Sequence, residues 1–149
     1  MKLLNMHIWN GCMYNMETLL ILDSDNILRR IPTHIPNYIK PDGSISSLAY
    51  FKKRDDDGVS TDLERLSSYE KATLGDRRYR LLRINVGIVR NTINDGLDVI
   101  HNPQPDNYAH SLITGNITES KKKQLLKHSE ELWVDLKIKF LASVLSNIV

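Results

Sequence analysis

Apolar positions along this chain fall into short runs separated by turn residues, and then into one longer stripe near its end. Ile27-Leu28-Arg29-Arg30-Ile31 is brief and β-compatible, and Leu48, Tyr50 and Phe51 within 46–52 predict a strand after the Asp42-Gly43 turn. Thr61 to Leu66 reads as one or two helical turns with Ser60 as N-cap, and a second short helix is expected between Ser68 and Gly75. Ile84, Val86 and Ile88 alternate within 80–89, which predicts a strand handing over to a short helix near 87–91. Leu97 to His101 is a compact strand candidate ended by Pro103.

The stripe is Leu125, Leu132, Leu136, Phe140, Val144 and Ile148, with Ser129 filling the missing position. Its four-residue recurrence predicts one face of a long amphipathic helix, started by Thr118 as N-cap and Glu119 in the first turn. Strands, short helices, strands and a final long helix make an α+β plan. It consists of a small, mainly antiparallel sheet with short helices and one long C-terminal amphipathic helix packed on it.

Turn chemistry at Pro32, Pro36, Pro41-Asp42-Gly43, Asp55 to Gly58, Asn94-Asp95-Gly96 and Pro103 to Asp106 cuts the chain into these elements without marking a linker. Residues 1–15 read as a leader or an added strand, and 16–149 as a single domain, with Met16 as a second start. At 149 residues and 41% hydrophobic the chain can form one core without disulfides or structural metal. Polar interruptions at Asn5, His7, Asn10 and Asn15 argue against a signal peptide, and the longest apolar run is too short to span a membrane. The single cysteine, Cys12, fits a reducing compartment, so a cytoplasmic location is expected. The net charge of +2 is spread evenly and gives nucleic-acid binding only weak support.

The densest chemistry lies between His101 and His110, where Pro103 and Pro105 stiffen a loop that also carries Asn107. His101, His110 and Asn107 are candidate catalytic residues, the two imidazoles serving as acid and base in phosphodiester cleavage. Loop scaffolding is the favoured reading, and the catalytic roles belong to the alternative one. Arg30 with His34, beside Arg29, is a candidate phosphate-binding pair or simply a charged strand edge. No metal site is expected: the acidic loop Asp55-Asp56-Asp57-Gly58 lacks the terminal bidentate glutamate of a calcium loop. Arg77, Arg78, Tyr79, Arg80, Arg83 and Arg90 interleave charge with an aromatic ring, as do RNA contacts and solvent-facing strands. Lys121, Lys122, Lys123 and Lys127 read as a solvated helix face or a phosphate-contacting patch.

Arg29-Arg30, Asp42-Gly43, Ser46 to Phe51, Asp57 to Asp62, and Asn102-Pro103 through Asn107-Tyr108-Ala109-His110 with Ile113 and Gly115 together resemble a group of small uncharacterised bacterial proteins. The resemblance spans about residues 27–115 and implies a stand-alone bacterial cytosolic domain, with no reaction attached. With no complete catalytic set in the sequence, the expected function is that of a non-catalytic protein acting through protein–protein interaction or self-association. Its surface is the C-terminal helix, where Phe140 to Leu145 is apolar beyond one stripe. The alternative is a small enzyme acting on RNA or a nucleotide. No cofactor is expected in either case.

Overall fold

The computed structural model describes residues 2–9, 11–133 and 144–148. Strands β1 (Lys2–Trp9) and β2 (Cys12–Leu19) pair as an antiparallel hairpin, so the segment read as leader or added strand belongs to a two-stranded element of its own. Six further strands form the main sheet: β3 (Asn26–Pro32), β4 (Val59–Leu63), β5 (Tyr79–Asn85), β6 (Asp98–His101), β7 (His110–Thr114) and β8 (Glu130–Leu132). Their order is β6-β7-β4-β3-β5-β8, and every neighbouring pair is antiparallel.

Directly opposed residues in such pairs share a face, and successive residues alternate. The register therefore puts Ile27, Leu63 and Ile84 on one face, with Val59, Val99 and Ile113. All six are buried in the main core. Three short pieces cover that face: a 3-10 turn at Ser47–Tyr50, a π-helical turn at Ile88–Ile93, and the helix α2 (Glu119–Lys127). They contribute Ala49 and Tyr50, Val89 and Ile93, and Leu125 respectively. The opposite face carries Leu28, Arg30, Ser60, Asp62, Leu81 and His110. Leu28 and Leu81 are buried there as an apolar cluster with Ala72 of the helix α1 (Tyr69–Ala72). Leu132 packs against that cluster and Leu112 is buried opposite Ser60, while Arg30, Ser60, Asp62 and His110 give the face its polar part.

The long C-terminal helix does not form. Among the described residues α2 is the only helix longer than six residues; it ends at Lys127, and the chain returns to the sheet as β8. Cross-strand charge explains the change of direction. Glu131 accepts from Arg80 Nε at 2.9 Å, and Glu130 from Arg83 at 2.8 Å, drawing 130–132 onto β5. Ser129 lies beyond the helix, where its Oγ donates to the Leu125 carbonyl at 2.7 Å and closes the last turn. The start is where the sequence puts it, with Thr118 Oγ1 accepting from Lys121 N at 3.3 Å. Residues 140–143 of the expected interaction surface lie outside the described residues.

Two further expectations are corrected. Within 46–52 the chain forms a 3-10 turn at Ser47–Tyr50 rather than a strand, because Ser46 Oγ accepts from Leu48 N at 3.3 Å and caps it. Residues 60–63 are strand rather than helix. Val59, Thr61 and Leu63 are buried between β3 and β7, and Thr61 Oγ1 meets Ser111 Oγ at 2.8 Å across the pair. Among the described residues no helix is long and apolar enough to cross a membrane.

Candidate functional site

The polar face of the sheet floors a cleft of about 1060 Å³. Leu28, Arg30, Ser60, Asp62 and His110 line it from the strands; Ser67, Ser68, Glu70 and Lys71 stand on one wall and Gln104, Asp106, Asn107 and Tyr108 on the other. Strand alternation explains the floor. Ser60 and Asp62 are two apart on β4 and share a face, and the register sets Asp62 opposite His110 on β7.

His110 is buried yet borders the cleft. Its Nδ1 lies 2.8 Å from the Asn102 carbonyl, which only accepts, so Nδ1 carries a proton. In the neutral ring Nε2 then holds the lone pair, and it faces Ser60 Oγ at 3.2 Å. Burial is the largest influence on this imidazole and pushes its pKa below the ordinary value; Arg30 acts in the same direction. The Asn102 carbonyl and the Asp62 and Asp106 carboxylates oppose them. A neutral imidazole with its acceptor nitrogen turned toward a hydroxyl is arranged as a proton acceptor.

The structure does not bring the two histidines together as a pair. His101 pairs with Ser111, and Ser111 neighbours His110, so the two imidazoles point to opposite faces of the sheet. His101 Nδ1 accepts from Leu19 N at 2.8 Å, and the opposite nitrogen, Nε2, donates to the Tyr108 carbonyl at 2.6 Å. Its ring also packs edge-on against Tyr108, with centroids 5.0 Å apart. His101 thus ties the hairpin to the sheet edge and to the loop, which is scaffolding.

Asn107 does reach the floor. Its Nδ2 donates to Asp62 Oδ1 at 2.8 Å, and its backbone closes a tight turn with Gln104 through two 3.0 Å hydrogen bonds. The proline-braced loop is therefore held against β4. Arg30 is half-buried in the cleft lining, donates to the Ala72 carbonyl at 3.1 Å and stands 5.3 Å from the Tyr79 ring centroid. His34 packs on the same tyrosine at 5.6 Å but is not part of the cleft lining. Arg29 donates to the Ala49 carbonyl at 2.6 Å and to the Ser60 carbonyl at 2.9 Å. Burial pushes its pKa down, and those carbonyls hold its charge. It fixes β4 at the position that carries Ser60.

Ser60 and Asp62 are the cleft residues that sequence reasoning missed. The signal was present in Val59-Ser60-Thr61-Asp62-Leu63, whose alternation is that of a strand with a polar face. Several of the other basic candidates are engaged elsewhere. Arg78 pairs with Asp76, Arg80 with Glu131, Arg83 with Glu64 and Glu130, and Arg90 with Asp23 and Asp98. Lys121 is buried and donates to the Asp95 and Asn116 carbonyls at 2.8 and 2.7 Å, while Lys122 pairs with Glu119. Those two lysines are not a solvated patch. Among the described residues no group of three or more His, Cys, Asp or Glu is placed to hold a metal ion. No family model matches the chain, and neither a curated protein nor a solved structure is significantly similar to it.

Proposed function

We propose that this chain is a small enzyme acting on a nucleotide-sized phosphorylated substrate in the cleft, with His110 as general base and Arg30 holding the phosphate. The observation that carries the reading is the neutral His110 presenting Nε2 to Ser60 on the floor of a cleft whose lining includes Arg30. Size and lining support the substrate class. The cleft is large enough for a mononucleotide, Arg30 and Lys71 supply positive charge, and Asp62 and Asn107 accept and donate hydrogen bonds. The lone Cys12, which is exposed, supports a cytosolic setting.

The test is a thermal-melt panel with nucleoside mono-, di- and cyclic phosphates. A ligand at a hundred times its Kd stabilises by about 2.7 kcal/mol, a readily measured rise in melting temperature. The rise is expected to shrink strongly in Arg30→Ala. An unshifted melt across the panel, or equal shifts in wild type and Arg30→Ala, overturns the reading.

A second reading, self-association or partner binding, is favoured by the hairpin. Met6, Ile8 and Met13 are 59%, 73% and 67% exposed on β1 and β2. A two-stranded hairpin carrying such residues gains stability when something covers it. Light scattering after size exclusion is expected to show a dimer or larger in wild type and a smaller species in Ile8→Glu. A wild-type monomer removes this reading.

A further inference from the structure

We infer that Ser60 is a nucleophile that forms a covalent phosphoryl intermediate on a phosphodiester substrate, with His110 as its base. This inference rests on the reading of the cleft given above and deepens it, since His110 alone is equally able to activate water.

The geometry has the three parts that an activated serine needs. The nucleophile and base are in hydrogen-bond reach, with Ser60 Oγ 3.2 Å from His110 Nε2. The base is oriented by a third group, the Asn102 carbonyl, which accepts a hydrogen bond from Nδ1–H at 2.8 Å and leaves Nε2 as the acceptor. The nucleophile is open to the cleft but its backbone is not free. Arg29 holds the Ser60 carbonyl, and Ser60 pairs with Leu112 of β7. A purely structural serine on the exposed face of a strand needs none of this; here a buried imidazole faces its hydroxyl while Arg29 holds its carbonyl.

The step balances as follows. Ser60 Oγ attacks phosphorus while its proton passes to His110 Nε2. The P–O bond to the leaving alcohol breaks, and that oxygen takes the proton from His110. Water then attacks the phosphoserine diester, giving a proton to His110. The Oγ–P bond breaks, Ser60 recovers that proton, and a phosphomonoester departs. One phosphodiester and one water become one alcohol and one phosphomonoester, with no change of oxidation state.

Rapid-quench kinetics with bis(p-nitrophenyl) phosphate, followed by intact and peptide mass measurement on the full chain, test this. A burst of about one nitrophenolate per chain is expected, with a mono-nitrophenyl phosphate adduct mapped to Ser60. Turnover is expected to fall by about a hundredfold or more in Ser60→Ala and in His110→Asn, which keeps a donor toward Asn102 while losing the base. Adduct mapping on the wild-type chain does not depend on how either variant folds. Wild-type turnover retained in Ser60→Ala, or turnover without an adduct, overturns the serine nucleophile and leaves the nucleotide cleft standing. No turnover, with nucleotides also failing to shift the melt, removes both.

Discussion

His110 is the residue on which most of the chemistry turns, and its environment fixes a pH signature. The unfolded chain protonates this imidazole near 6.5, whereas in the folded chain burial delays protonation to lower pH. Within that window the unfolded state holds more protons, so this residue's contribution to stability rises with pH up to about the ordinary value and is flat above it. Urea midpoints measured across the window are expected to climb with pH in wild type and to climb less in His110→Asn. An identical slope in the two proteins contradicts the buried, neutral imidazole. The same lowering places the acid limb of any His110-dependent rate below 6.5. Tyr50 shows the converse case: burial pushes its phenol up to about 12, so it stays a donor at any working pH.

Elements here are held by a few polar contacts at their junctions. Tyr50 is fully buried, with its hydroxyl 2.5 Å from Ser129 Oγ, which itself donates to the Leu125 carbonyl. Ser129→Ala strands that phenol and is expected to cost about 1–3 kcal/mol by denaturant melt, whereas Tyr50→Phe removes the stranded donor and costs less. The reverse order sinks this account of the junction. At the start of β4, a Cβ added to Gly58 would meet the Ile113 carbonyl oxygen at 2.5 Å, closer than side-chain carbons approach backbone. Gly58→Ala must therefore push β4 from β7, the two strands that carry Ser60 and His110. A loss of about 1–3 kcal/mol together with lost turnover is expected; unchanged stability contradicts this close approach. Local signals predicted these elements well where caps and alternation were strong. Ser68 accepts from Lys71 N at 3.2 Å, and Thr118 starts α2, both as their side-chain chemistry dictates. They failed where tertiary partners decided. Ser60 looks like a cap until β7 pairs with it through Leu112, and Glu130-Glu131 looks helical until Arg83 and Arg80 draw them onto β5.

At the scale of the whole molecule, one sheet separates two jobs. Its apolar face packs Ile27, Leu63, Ile84 and Ile113 under three short helical pieces, while its other face leaves a cleft with Arg30, Ser60, Asp62 and His110 on the floor. The sequence carried the loop chemistry of 101–110 plainly, but not the face each residue takes. Two histidines nine positions apart look like partners, yet the β6–β7 register turns them apart, one to the scaffold and one to the cleft. Asp62 and Ser60 come from a segment some fifty residues away from His110, a distance that only strand pairing closes. The nitrogen spectrum of the histidine side chains, followed while a nucleoside monophosphate is added, tests the central claim directly. The account expects His110 to carry its proton on Nδ1, and added nucleotide to shift His110 Nε2 and the Asn107 side-chain amide saturably while leaving His101 unmoved. A proton on His110 Nε2 in the free protein, or nucleotide shifts that fall on His101 and the hairpin instead, would contradict it.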